Sequence, residues 1–223
     1  MGVEIYGNEG SPACRCVFLV ARAIGLDYTL KPTNPMAGET RTEEFLRMNP
    51  AHTIPTMADD GLFLGESRAI ATYLVNKYAP ESELYPREPA ARAVVEQRLF
   101  YDVGLFAALR SVLGALLYFK SPEQFEAALP QVDECMELLE TFLKRSPFVA
   151  GDHVTVADLA IVANVSTIEA AELDLSRWTR VQRWLAKMKT LPYYSVNEAG
   201  AQYLGGVFKK ALFQARKAKF SAS

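Results

Sequence analysis

The sequence predicts two domains in tandem, a small α/β domain followed by a larger all-α domain. Three observations predict it. Over the first eighty residues, strand-like and helix-like patterns alternate in the order β-α-β-α-β-β-α. A stretch bearing Pro80, Pro86 and Pro89 then breaks the periodicity. Everything beyond it reads as helices. The expected boundaries are 1–80 for the first domain, 81–91 for the linker and 92–223 for the helical domain.

Each element has a local reason. Val3-Glu-Ile-Tyr6 is a strand that stops at Gly7. Ser11 and Pro12 open a helix, since serine caps well and proline suits the first helical position. Val17, Val20, Ala21 and Ile24 follow at helical spacing, and Gly25 ends the run. Tyr28–Lys31 is a second strand and Thr42–Met48 a short helix. Thr56–Ala58 and Leu62–Leu64 flank Asp59-Asp60-Gly61, a compact hairpin signal. Glu66–Tyr78 is amphipathic, with Ile70, Tyr73 and Leu74 on one side. Helices are then expected over Ala90–Tyr118, Glu123–Lys144, Thr155–Glu172 and Arg177–Thr190. Thr155-Val-Ala-Asp158 has the spacing of a capping box.

Composition narrows the function classes. The chain has 223 residues, half of them hydrophobic, which allows a sizeable core. The formal net charge is −2, and Lys and Arg are dispersed. Only Lys209-Lys210 to Lys219 is locally basic, and it reads as a solvated helical end. We expect no nucleic-acid partner and no membrane partner. No secretion signal and no run of about 18 apolar residues is apparent. Cys14, Cys16 and Cys135 are odd in number and irregular in spacing, which suits a reducing, cytoplasmic compartment. Cys14-Arg-Cys16 is too tight for a C-x-x-C motif, and two histidines make no zinc site, so no metal is expected.

Three short pieces carry chemistry. In Gly10-Ser11-Pro12, a hydroxyl sits at a helix start, where unpaired N–H groups and the helix dipole favour an anion. Read alone, it is an ordinary cap. In His52-Thr53-Ile54-Pro55, a proline follows an apolar residue just before a strand. Read alone, its bond is trans. Glu66-Ser67-Arg68 sets a carboxylate, a hydroxyl and a guanidinium at a helix start, a match for the head of a zwitterion. Read alone, it is a capped helix with a surface ion pair.

Taken together, in this order and spacing, the pieces resemble soluble glutathione transferases, in particular the arthropod delta and epsilon classes. Thr155-Val-Ala-Asp158 is similar to that family's capping-box helix. The resemblance implies a thioredoxin-like first domain, glutathione as co-substrate, and conjugation of glutathione to hydrophobic electrophiles in detoxification. A peroxidase side activity and a homodimer are also implied. By the same resemblance, Ser11 is the catalytic hydroxyl that donates to the glutathione sulfur. His52 contacts the glycine end, Thr53 belongs to the glutathione-binding set, and Ile54, before a cis Pro55, pairs with the cysteinyl backbone. Glu66 receives the γ-glutamyl ammonium, and Ser67 and Arg68 its carboxylate. Asp158 is a folding cap.

Two departures stand out. Thr40 follows Gly38-Glu39 where many delta members carry histidine, with Arg41 as a substitute contact. Ala13 stands where relatives often have proline. Tyr6 and Cys14 are rivals for the catalytic role. Tyr6 is read as strand core and Cys14 as a buried helix residue. Non-enzymatic relatives on this scaffold carry ligands or build lenses, but the intact Ser11, His52, Glu66, Ser67 and Arg68 favour an enzyme. The second-substrate site is expected between the domains, from Leu105, Phe106, Leu109, Arg110, Leu113, Leu117, Tyr118, Phe119 and Phe208. An apolar stripe at helical spacing is core by default, and Arg110 is the exception that interrupts it.

Overall fold

The computed structural model describes residues 2–119 and 121–222; for 215, 216 and 218–222 it describes the backbone alone. Lys219, the end of the basic stretch, therefore has a side chain outside the described residues.

The first domain runs β1 (Val3–Gly7), α1 (Pro12–Ala23), β2 (Tyr28–Pro32), α2 (Glu43–Met48), β3 (Thr56–Asp59), β4 (Leu62–Leu64) and α3 (Ser67–Tyr78). This is the expected order, with two 3-10 turns added at Pro35–Ala37 and Glu39–Arg41. The sheet order is β2-β1-β3-β4. β1 lies parallel to β2 and antiparallel to β3. Val3, Ile5 and Gly7 of β1 are buried, while Glu4 and Tyr6 alternate to the other face. Gly7 has a packing reason: a Cβ there would lie 2.5 Å from the Cys14 Sγ. The strand thus ends on glycine so that α1 can cross it closely.

The helical domain comprises α4 (Pro89–Leu117), α5 (Pro122–Phe142), α6 (Val156–Ala170), α7 (Thr179–Lys189) and α8 (Ser195–Ala222). α4 starts inside the expected linker. The Glu88 carboxylate accepts the N–H groups of Ala90 and Ala91, at 2.9 and 2.6 Å. Pro89, read as a breaker, is therefore the first residue of a helix. α4 also departs from the expectation that no segment resembles a membrane span. An 18-residue window of it has a mean hydropathy of 1.5, and more than half of that window is buried within the protein. Its apolar residues pack on α5 and α6.

α6 is the central helix. Every residue in it except Glu169 is buried, and it packs on α1, α4 and α8. Its start is fixed by Asp158, whose Oδ2 accepts from the Thr155 N–H at 2.9 Å. Asp158 Oδ1 accepts from Val149 N and Trp184 Nε1. The cap therefore also ties in the α5–α6 loop and α7.

α8 was foreseen only as a helical end, because Gly200, Gly205 and Gly206 obscure the pattern. Two of these glycines serve close approach. A Cβ on Gly200 would lie 1.9 Å from the Glu9 carbonyl oxygen, and one on Gly205 would lie 2.5 Å from the Ala170 carbonyl carbon. α8 thereby seats directly on the turn before α1 and on the end of α6.

Candidate active site at the start of helix α1

Ser11 sits at the N-cap of α1 with extended φ and ψ of −75° and 120°. Its Oγ accepts from the Cys14 N–H at 3.4 Å, and its hydroxyl can rotate its one proton toward a ligand. Asn8 shapes the turn ahead of it. The Ser11 N–H meets the Asn8 Oδ1 at 3.0 Å, and Asn8 Nδ2 donates to the Thr33 carbonyl. Ser11 remains partly exposed while Pro12, Ala13 and Cys14 are buried. The helix end is therefore open to solvent only at its hydroxyl turn.

The two rival residues are otherwise occupied. The Tyr6 hydroxyl donates to Glu4 Oε2 at 3.2 Å, and its ring meets Phe45 edge-on. Burial pushes the Cys14 thiol up to about 11, against the smaller pull of its bond to Ser11. It therefore stays a protonated, unreactive thiol at neutral pH.

The second piece lies on the loop entering β3. The Ile54–Pro55 bond is cis, as the family resemblance implies and unlike the trans bond expected of the proline alone. Ile54 has no backbone partner among the described residues, which leaves an N–H and a C=O for an extended peptide. His52 is held at a left-handed φ of 47°. The organiser of this loop is Asn49, which the motif reading passed over. Its Nδ2 reaches the Thr53 carbonyl, the Thr53 hydroxyl and the Thr56 hydroxyl, at 3.3, 3.3 and 2.8 Å. Its Oδ1 accepts from Ala51 N. A Cβ on Gly65 would come within 3.0 Å of this amide, which packs the β4–α3 link against the same loop.

The third piece opens α3. Glu66 has a φ of 62° and an exposed side chain, and no cation among the described residues pairs with it. Ser67 is buried, and its Oγ accepts from the Arg68 NH1 at 3.0 Å. Arg68 itself turns toward the helical domain. Its Nε and NH2 reach the Asp102 Oδ2 at 2.8 and 2.5 Å. Asn164 Nδ2 braces the other oxygen of Asp102 at 2.8 Å. Burial pushes the Asp102 carboxyl up, and Arg68 and Asn164 pull the other way. Neither Asp102 nor Asn164 carried a local signal, because both are single polar residues on apolar helix stripes.

Thr40 is buried within its 3-10 turn and Arg41 is exposed at the end of that turn. The expected second-substrate residues divide. Leu105, Leu109 and Phe208 are fully buried and Leu113 nearly so, which makes them core. Phe208 packs on Phe125 with ring centroids 5.8 Å apart. Phe106, Arg110, Leu117, Tyr118 and Phe119 keep solvent-facing surface. Phe106 lies under Arg68 at 5.2 Å and beside Arg110 at 5.9 Å. Tyr203 of α8 was not foreseen. It is exposed, yet its ring lies within 3.4 Å of the Cβ position of Gly10, which places it beside the Ser11 turn.

Known proteins share the fold and much of the sequence. The profile described as "Glutathione S-transferase, N-terminal domain" matches residues 5–82, and the corresponding C-terminal domain profile matches residues 122–187. Glutathione S-transferase D7 of Drosophila melanogaster is 44% identical over 185 residues, 82% of this chain and 82% of its own. A delta-class glutathione transferase of Nilaparvata lugens superposes with a TM-score of 0.84 at 41% identity, over 94% of this chain and 99% of that one. A glutathione transferase homologue of Drosophila mojavensis, solved with bound glutathione, gives 0.87 at 32%, over 94% and 97%. Sequence and fold agree: this chain belongs to the glutathione S-transferase family.

Proposed function

We propose that the chain conjugates glutathione to hydrophobic electrophiles, using Ser11 to hold the glutathione sulfur as a thiolate. The observation that carries this reading is the partly exposed Ser11 hydroxyl at the open end of α1, where its oxygen accepts from the Cys14 N–H. The surrounding donors suit the tripeptide. The unpaired backbone of Ile54 suits the cysteinyl unit, and the unpaired Glu66 carboxylate suits the γ-glutamyl ammonium. Ser67 is placed for the γ-glutamyl carboxylate, with Arg68 steadying its hydroxyl. We assign His52 to the glycine end and Thr53 to the same binding loop.

The magnitudes are adequate. An ordinary thiol near pKa 8.5 must be stabilised as its anion by about 2.7 kcal/mol to titrate two units lower. A helix terminus contributes about 0.3–1 kcal/mol, and up to ~2 in partly buried sites. A hydrogen bond to a charged group contributes roughly 1.5–3 kcal/mol. The thiolate then attacks an electrophilic carbon. The new carbon–sulfur bond forms as the leaving group departs with its electron pair, and the thiol proton has already passed to water. Proximity supplies the rest of the rate.

The electrophile is proposed to lie against Phe106, Arg110, Leu117, Tyr118 and Phe119, a surface mostly apolar. A second copy of the chain is the proposed partner. Phe100 and Val103 of α4 and Phe63 of β4 are exposed apolar residues that a homodimer would cover. Sedimentation at the mass of one 24.7 kDa chain would contradict that. We also propose a cytoplasmic location and a glutathione-dependent peroxidase side activity.

Turnover of a chlorinated nitroaromatic by Ser11→Ala tests the central claim. Loss of one charge-assisted bond lowers kcat/KM by roughly 10- to 100-fold. An unchanged rate removes Ser11 from the mechanism.

A further inference from the structure

Arg15 lies one helical turn beyond Ser11 and is fully buried. Its NH1 donates to Ser166 Oγ at 3.3 Å, to Asn197 O at 3.3 Å and to Asn197 Oδ1 at 2.6 Å. Its NH2 donates to Thr167 Oγ1 at 2.5 Å, and its Nε has no partner. All of these acceptors are neutral, and no carboxylate among the described residues forms an ion pair with it. The contrast with Arg68, whose charge meets Asp102, is direct. Burying a cation without a countercharge is expensive, and an apolar side chain of similar volume holds helices together at lower cost. Burial brings the Arg15 guanidinium down to about 10, so it still carries its charge at neutral pH.

The position of that charge is informative. The Arg15 N–H closes the first turn of α1 on the Ser11 carbonyl at 3.0 Å. Helical side chains lean toward the N-terminus, and four residues span about 6 Å. A Cβ on Gly200 would touch both the Glu9 carbonyl oxygen, at 1.9 Å, and the Arg15 Cδ, at 2.8 Å. The Arg15 stem therefore passes close to the Glu9 carbonyl, two residues before Ser11. We propose that Arg15 is an electrostatic positioning residue, its unpaired buried charge holding a positive potential behind Ser11 that keeps the glutathione sulfur ionised. This rests on the reading of Ser11 given above.

Every ionisable group facing it fits that role. On α1, Cys14 is the one native sulfur beside Ser11, and the Arg15 charge acts on it to favour the thiolate, although burial outweighs the effect. Ahead of α8, Tyr194 is buried and raised by burial, so it stays neutral. Glu9 and Glu198 are exposed to water, and Glu169 of α6 is paired with Lys189. No anion is therefore set against the guanidinium within the protein. At an effective dielectric constant of ~20, a unit charge on the order of 10 Å away lowers a thiol pKa by about one unit.

Asn197→Asp tests this without dismantling the clamp. It keeps the oxygen that receives Arg15 and adds the missing countercharge, and the Ser166 hydroxyl that now accepts from Asn197 Nδ2 can rotate to donate. The readouts are ultraviolet titration of the thiolate of bound glutathione, the pH profile of kcat/KM, and the melting temperature. We expect the titration of bound glutathione to rise by about one pH unit, with kcat/KM at slightly acid pH about tenfold lower and recovering in base. Melting should be unchanged or higher. A folded Asn197→Asp protein titrating like the wild type overturns the proposal. So does an equal rise in Arg15→Lys and Arg15→Gln, which lose the same clamp but differ in charge. If glutathione bound to the wild type titrates like free glutathione, it is the Ser11 reading that fails.

Discussion

Arg68 of α3 and Asp102 of α4 meet across the boundary between the two domains, with Nε–Oδ2 and NH2–Oδ2 distances of 2.8 and 2.5 Å. The same guanidinium donates its NH1 to Ser67, so one side chain joins the helical domain to the proposed γ-glutamyl pocket. Asp102 is fully buried, and only 14% of the Arg68 side chain is exposed. Removing one member of such a pair strands a buried charge. Asp102→Asn should therefore lose about 3 kcal/mol or more of stability in denaturant titration. The double variant Arg68→Met, Asp102→Leu should regain most of that loss but keep a raised KM for glutathione, since Ser67 has lost its guide. A double variant as unstable as Asp102→Asn would refute this account.

How much of this was legible in the sequence depends on the range of each contact. The Ser11 turn was legible because capping is local: Ser-Pro at a helix start has few other uses. The Thr155 and Asp158 box was legible for the same reason. Asp102, Asn164 and Asn49 were not, because their meaning lies in partners 34, 62 and 7 residues away, on other elements or across a loop. The stripe Leu105, Leu109 and Leu113 shows the converse error. Periodicity placed it on one face of α4 but could not say which face meets α6 and which meets a substrate.

Asn49 holds the loop bearing His52, Thr53 and Ile54 through four side-chain bonds. Asn49→Ala removes these bonds, although the Thr56 hydroxyl keeps its bond to the Thr53 carbonyl and the Ala51 N–H is open to water, so the loss of stability is about 0.5–1.5 kcal/mol per bond at most. The larger consequence falls on glutathione. We expect its KM to rise about tenfold or more and retention on glutathione-agarose to fall, with little change in KM for the electrophile. Equal effects on both substrates would place Asn49 outside the glutathione half of the site.

Gly200 and Gly206 are both interior residues of α8, and they should respond oppositely to alanine. At Gly200 the new Cβ meets backbone, the Glu9 carbonyl oxygen at 1.9 Å, which cannot swing aside. Overpacking typically costs 1–3 kcal/mol, and here the strain falls on the turn that positions Ser11. Gly200→Ala should lower both the melting temperature and kcat/KM. At Gly206 nothing lies within 4 Å of a Cβ. Gly206→Ala should stabilise by roughly 0.5–1 kcal/mol through helix propensity, leaving activity unchanged. Calorimetry on the pair separates packing from propensity.

Asp59 at the end of β3 gives a prediction in pH. Its Oδ2 accepts from Tyr73 and Lys77 at 2.8 Å each, and its Oδ1 accepts from Tyr78 at 2.8 Å. Burial alone raises such a carboxyl, but the bonds from Lys77, Tyr78 and Tyr73 more than reverse this and hold it below its ordinary 3.8. A carboxyl lowered by folding releases its proton more readily in the native state. The stability it contributes is therefore complete above the unfolded value near 3.8 and is lost as pH falls through the lower native value. Asp59→Asn should melt below the wild type at neutral pH, because it removes the buried charge facing Lys77 and leaves one acceptor oxygen for three donors. The gap should close as the solution is acidified below pH 3.8. A gap that stayed constant down to the acid limit would show that Asp59 acts through packing alone.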